Sequence, residues 1–186
     1  GTPRYVGTGR TVLNSKGLVV KQYEPYFSAT PEHEDEDDIV ATGVTPIFEY
    51  DPVGRNTKVT LPDGHVRRWV YTPWQVSAYD ENDNDPSSPH HDTPAVTHLD
   101  AQGRVYASVE TPDGAAAYPT KLTLDVLGQV VAVTDPRGNT VQTQAYDLVG
   151  RVAFTDSADA GETRTLPDTA GQPLRIWRSG DLTSRH

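Results

Sequence analysis

The sequence has no cysteine and no methionine. Without Cys there is no disulfide framework, no thiolate nucleophile and no Cys-based metal site, and the redox compartment stays open, because a secreted chain lacks Cys as readily as a cytosolic one. Without Met the chain does not start at a native initiator, and Gly1-Thr2 reads as a cloning remnant or a processed end. Long apolar runs are also missing. None reaches the length of a signal peptide or a membrane span, which points to a soluble polypeptide without membrane insertion. Positive charge is scarce, with 16 Lys+Arg against 26 Asp+Glu and a net charge of −10. Arg67-Arg68 is the one basic cluster, so the chain repels a phosphate backbone and nucleic acid is excluded as a partner. Hydrophobic residues amount to 35%, which predicts a thin core.

What is abundant is turn chemistry. Fifteen Gly and fifteen Pro, with no long Ala/Leu/Glu/Lys block, argue against helices and for short strands, so the fold class is all-β. In Asp51-Pro52-Val53-Gly54 the Asp accepts a hydrogen bond within its own turn, Pro presets φ, and Gly supplies the left-handed residue. This matches a type I turn with a Gly bulge joining antiparallel strands. The same Asp-x-x-Gly frame recurs at Asp100 with Gly103, Asp125 with Gly128, Asp147 with Gly150 and Asp168 with Gly171, and Asn14 with Gly17 is a variant.

A second series interleaves with the first: Leu61-Pro62-Asp63-Gly64, Thr111-Pro112-Asp113-Gly114 and Asp135-Pro136-Arg137-Gly138, with Gly161 in the slot of a copy that lacks Pro. The intervals between paired glycines are 10 or 11 residues, enough for a turn and a strand of about six or seven. Val141, Thr143 and Ala145 alternate with Gln142, Gln144 and Tyr146, and Leu122 with Leu124 and Val152 with Phe154 follow the same period of two. A two-strand unit with one modestly apolar face cannot bury itself alone and must lie against its neighbours. The chain therefore divides into a lead-in over 1–44 with an acidic loop at 28–38, a repeat region over 45–178 interrupted by a polar loop at 72–95, and a tail over 179–186.

With the units aligned, the chain resembles the RHS or YD repeat family, whose signature is Tyr-Asp-x-x-Gly-Arg. Tyr50-Asp51-Pro52-Val53-Gly54-Arg55 and Tyr146-Asp147-Leu148-Val149-Gly150-Arg151 match in full; Asp100 to Arg104 lacks the Tyr, and Asp125 to Gln129 lacks both Tyr and Arg. Residues 7–30 and 71–85 resemble the start of the RHS region in the B component of bacterial ABC-type insecticidal toxin complexes and in SpvB-like toxins. The resemblance implies antiparallel β-hairpin repeats forming a strip of a hollow β-shell in a secreted bacterial toxin. Its partners would be the remaining shell and an enclosed C-terminal toxin domain.

Other chemistry weighs less. Asp80-x-Asn82-x-Asn84 copies three EF-hand ligand positions, but Asp85 stands where Gly is needed and His91 where Glu is needed, so it reads as a polar turn. His90-His91-Asp92 with His98 lacks zinc spacing, and Glu32 to Asp38 reads as a solvated acidic run. RHS proteins can carry a self-cleaving aspartyl protease marked by paired Asp-Pro-x-Gly motifs. Here Asp51 and Asp135 each already belong to a repeat turn, so two carboxylates sharing a proton are not expected. Gly7-Thr8-Gly9-Arg10 lacks the rest of a phosphate-binding fingerprint, and no nucleophile elbow is present. No catalytic residue, cofactor or metal is assigned. Two functions remain: a non-catalytic shell segment, or a binding module that contacts glycan or a cell-surface protein through aromatics such as Trp69, Trp74 and Trp177 or through the 72–95 segment.

Overall fold

The computed structural model describes residues 4–35, 44–112 and 116–179, and among these the chain is strand, turn and loop with no helix. Gly1-Thr2, the acidic residues Glu36 to Asp38, the Asp113-Gly114 turn and the tail from residue 180 lie outside the described residues. Contacts divide the chain into two units, Gly1–Tyr71 with Ser77–Pro94, and Thr72–Val76 with Ala95–His186.

In the first unit, β1 (Tyr5–Gly7) pairs antiparallel with β4 (Tyr26–Ser28). The ring of Tyr26 lies where a side chain on Gly7 would stand, so this pair closes over a glycine. The remaining strands follow the order β2 (Thr11–Leu13), β3 (Val19–Gln22), β5 (Ile47–Tyr50), β6 (Asn56–Thr60) and β7 (Val66–Tyr71), each antiparallel to the next. The second unit is an uninterrupted antiparallel meander of β9 (Ala95–Leu99), β10 (Val105–Glu110), β11 (Tyr118–Leu124), β12 (Val130–Thr134), β13 (Thr140–Tyr146), β14 (Val152–Ser157), β15 (Gly161–Pro167) and β16 (Pro173–Arg178). The all-β class and the antiparallel hairpin repeats expected from the turn spacing are thus observed.

One expectation needs correction. The segment 72–95, read as a loop throughout, begins with β8 (Gln75–Tyr79), because Gln-Val-Ser-Ala-Tyr has the alternation and β-propensity of a strand despite its polar surroundings. Only Tyr23, Val59 and Ala107 are buried apolar side chains among the described residues, whereas 20 large apolar ones are exposed. Strand β11 keeps the expected alternation, with Lys121 and Thr123 exposed and Leu122 and Leu124 half-buried. Strand β13 does not: Gln142 and Gln144 are as covered as Val141 and Thr143, and Ala145 is exposed. An extra residue explains it, since Thr134 faces Thr140 while Val133 faces Gln142, leaving Val141 as a bulge that disturbs the alternation.

Candidate functional site

The repeated turn is the most organised feature of the chain. In the Asp51 turn the Gly54 N–H donates to the Asp51 carbonyl at 3.0 Å and the Asp51 N–H to the Arg55 carbonyl at 2.9 Å. Gly54 has φ 89°, which only a residue without Cβ adopts cheaply. The Asp51 carboxylate then accepts the N–H groups of Val53 (3.0 Å) and Arg55 (2.9 Å), two donors that the hairpin ladder leaves unpaired. The same carboxylate pattern recurs at Asp100, Asp125, Asp135 and Asp147, and Asn14 reproduces it with an amide oxygen. At Asp168 the carboxylate accepts the Gln172 N–H at 2.8 Å, and Gly171 closes the turn onto the Asp168 carbonyl. Asp135, placed by its sequence in the second series, adopts the same turn as the first.

All seven of these hairpins carry a bulge at one place. Numbering the Asp or Asn as first, the residue before it pairs with the sixth, and the next pair skips to the eighth. The skipped seventh residues are Val20, Thr57, Tyr106, Val131, Val141, Ala153 and Leu174. Such a bulge increases local twist and ends regular alternation.

The other signature residues connect one hairpin to the next. The Tyr50 hydroxyl donates to the Val19 carbonyl at 2.7 Å, and the Tyr146 hydroxyl to the Val130 carbonyl at 2.8 Å. Each acceptor is the sixth residue of the preceding turn at the same end of its unit. Tyr71 completes the series by donating to the Asn56 carbonyl at 2.9 Å, although no Asp follows it. Sequence reasoning missed Tyr71 as a clamp; its signal is Tyr71-Thr72-Pro73, with Thr72 N–H bonded to the Gln75 carbonyl as a shortened turn.

Arg55, Arg104 and Arg151 each bind their own turn Asp through Nε at 2.7 Å. They also reach forward. Arg55 lies 4.3 Å from the centre of the Tyr71 ring, the Arg104 side chain crosses Gly128, and Arg151 donates to the Asp168 carbonyl at 2.7 Å. Leu18 and Gln129, in the same fifth position, lie against Gly54 and Gly150. At Gly128 and Gly150 glycine therefore serves twice, admitting a left-handed backbone and leaving room for the neighbour's side chain, whereas at Gly54 a Cβ would make an ordinary contact with Leu18 at 3.6 Å.

Gly103 differs from these three only in what lies over it. Gly103 closes its turn as expected, with φ 76° and its N–H donating to the Asp100 carbonyl at 2.9 Å, but a Cβ there would meet no atom within 4 Å. The physical reason lies in the preceding turn at Thr72 to Gln75, which is too short to supply a fifth-position side chain that could reach forward over Gly103. Gly171 likewise faces open space, because Arg151 reaches the Asp168 carbonyl instead of the glycine. Both glycines are required by the backbone alone.

Electrostatics follow this geometry. The Arg104 N–H, then its guanidinium, hold the Asp100 carboxyl below its ordinary value of 3.8, and the Arg151 N–H does the same for Asp147. For Asp135 the leading cause is the Asn139 side chain. Asp51 and Asp135 are each occupied by donors of their own turn.

The remaining candidates are occupied by local bonds. Asp80 accepts the N–H groups of Asn82 and Asp83, while Asn84 accepts Arg68 Nε at 2.7 Å and donates to the carbonyls of Val66 and Asp80. Buried Asp83, unmarked in the sequence, organises this loop by accepting the Asp80 N–H and both donors of Thr93. His98 sits in β9 with its ring 6.0 Å from that of Tyr106. Among the described residues no group of three acidic, His or Cys side chains converges as a metal site.

No family model and no curated protein matches the chain. Solved structures do. A crystal structure of TcdB2-TccC3 without its hypervariable C-terminal region matches at a TM-score of 0.85 and 30% identity, covering 94% of this chain and 9% of that one. The Photorhabdus luminescens Tc holotoxin pore matches at a TM-score of 0.85 and 29% identity, with the same coverages. TcdB2-TccC3 with Cdc42 gives a TM-score of 0.86 and 29% identity over 95% of this chain and 9% of that one. The chain thus spans about a tenth of the length of these relatives. The resemblance to toxin-complex proteins stated from the YD signature is borne out, and the all-β hairpin repeats match those relatives in fold.

Proposed function

From this likeness to a stretch of toxin-complex chains, we propose that the protein is a non-catalytic wall segment of a secreted RHS-type shell that encloses a C-terminal toxin domain. The observation that carries the reading is the one-way linkage of hairpins: tyrosine reaches back to the preceding turn, and the fifth-position side chain reaches forward to the next. Such a ladder transmits rigidity along a wall and commits the tyrosine hydroxyls, turn carboxylates and arginines to bonds within it. The scarcity of buried apolar side chains fits a strip that completes its core against further coils of a longer chain.

The test is enclosure. A longer parent polypeptide with an engineered protease site in its C-terminal domain should resist cleavage while intact. Combined Tyr50→Phe, Tyr71→Phe and Tyr146→Phe substitutions should expose that site. Rapid cleavage in the unaltered parent would overturn the reading. A saturable response of the 186-residue chain on a glycan array would favour the binding module instead.

A further inference from the structure

Residues directly opposite each other on neighbouring strands share a face of the sheet, so the pairing registers sort the side chains of the second unit. One face holds the row Leu122, Val133, Gln142 and Ser157, and beside it Gln144, Thr155 and Thr163. None of these is charged. The other face holds Lys121, Asp156, Glu162, Arg164 and Arg175. On the neutral face charge enters only at the margins, where Glu110 faces Tyr118 and Arg178 faces Thr163. The faces also differ in cover. The neutral residues just named are all half-buried, whereas Lys121, Thr123, Ala145, Asp156 and Arg164 of the charged face are exposed. No second layer explains this, because each strand of the unit contacts only its neighbours in the meander. A bend does: side chains converge on the concave side of a curved sheet and splay on the convex side, and the bulge after each signature turn bends its strand. One pair agrees with this polarity. Asp156 stands directly opposite Glu162, a like-charge contact that costs least in open, salt-screened solvent.

We infer that the neutral, concave face of this unit is a lining that meets the enclosed C-terminal domain, and that the charged face is the outer surface of the wall. This rests on the wall-segment reading. A wall that closes round a domain bends toward its contents, so the concave side is the inner one. The chemistry of the face fits that occupant. Another coil packed on it would bury the hydroxyls of Thr155, Ser157 and Thr163 and the amide of Gln142, each of which would then need a partner. An enclosed domain that keeps its water leaves them hydrated. None of the net charge of −10 lies on the two neutral rows, so acidic and basic segments of the domain are neither held nor repelled there. Such a lining retains its contents by closure and without adhesion, whatever the sign of their charge. The outward charges keep the wall soluble.

With no native cysteine in this chain, the two faces can be labelled separately. Thr155→Cys and Thr163→Cys on the neutral face, and Thr123→Cys and Ala145→Cys on the charged face, are made singly in the 186-residue chain and in the longer parent with any cysteines of its own replaced. The probe is a maleimide carrying a polyethylene-glycol chain too bulky to enter a closed shell. All four thiols should react in the 186-residue chain. In the parent, those at 155 and 163 should slow by about tenfold or more, since a thiol reacts only where the reagent reaches it, and those at 123 and 145 should not. A photo-crosslinking residue in place of Thr155 should then join the wall to the C-terminal domain. Slowing at 123 and 145 instead, slowing on both faces or on neither, or a crosslink from 155 to another part of the shell or to nothing would each overturn the inference. Where the C-terminal domain of the parent still resists protease, those outcomes defeat this inference alone. Rapid cleavage of that domain would instead remove the enclosure reading on which it stands.

Discussion

The Asp147 and Leu61 hairpins share one backbone turn and differ in almost everything else. In both, glycine at φ 84° or 89° closes onto the carbonyl three residues back, and the first residue's N–H bonds to the fifth residue's carbonyl at 2.8 Å. At Asp147 the carboxylate caps the turn, a bulge follows at Ala153, and Tyr146 clamps the preceding hairpin. At Leu61 there is no clamp, and pairing runs unbroken through Thr60–Val66, Val59–Arg67 and Lys58–Arg68. Asp63, from within the turn, takes the His65 N–H instead. The comparison separates two roles: glycine makes a turn, whereas Tyr, Asp and Arg make successive turns into a ladder.

The largest effect should come from breaking both turns and asking which costs more. Gly150→Val and Gly64→Val each force a β-branched residue into the left-handed region, a loss of about 1–2 kcal/mol or more. Gly150→Val should be slightly worse at most, because the atom its Cβ would meet, Gln129 Nε2 at 2.8 Å, is the end of a flexible side chain that swings aside, while Gly64 faces open space. Gly103→Val, in a signature turn with no neighbour over the glycine, should match Gly64→Val. Gln142→Ala in mid-strand should cost less than any of them. Melting temperatures rank the four, and equal values for the glycine variants would remove the case for a second role of glycine.

Tyr146→Phe deletes the clamp with little loss of packing and should cost about 1 kcal/mol in denaturant unfolding. The converse experiment sharpens the comparison. Leu124 stands before Asp125 where the clamp tyrosine would be, and the corresponding acceptor is the Val105 carbonyl. Leu124→Tyr should therefore gain up to about 1 kcal/mol over Leu124→Phe.

The smallest effect concerns pH. Asp100 and Asp147 are held below 3.8 in the fold, so the unfolded chain binds more protons as acidity rises. Their contribution is complete above the unfolded value and is lost as pH falls through the depressed folded values. Asp100→Asn and Asp147→Asn should keep the turn, as Asn14 does, and flatten the fall in melting temperature below about pH 4. An unchanged acid slope would show that the capping carboxylates are not its source.

How much of this could be read in advance depends on the range of each interaction. The strand-rich class follows from Gly and Pro frequency, and the Asp-x-x-Gly frame is closed by bonds within five residues, so both are written locally. What crosses each glycine is not: Gly103 and Gly128 read alike in the sequence, yet only Gly128 lies under a neighbour's arginine. The strand in 75–79 was obscured by its polar neighbours, and Asp83 carries no mark, because it is buried only once Thr93 folds back onto it.

By itself, then, the amino-acid order determined where the chain turns, since left-handed glycine and carboxylate capping act over a few bonds. Tertiary structure alone decided what the turns do to one another. The tyrosine clamp spans 31 residues from Tyr50 to Val19, and 16 from Tyr146 to Val130. Which carbonyl receives the hydroxyl, which strand takes the extra residue, and which side chain crosses which glycine depend on strand register, and register exists only once the hairpins lie side by side.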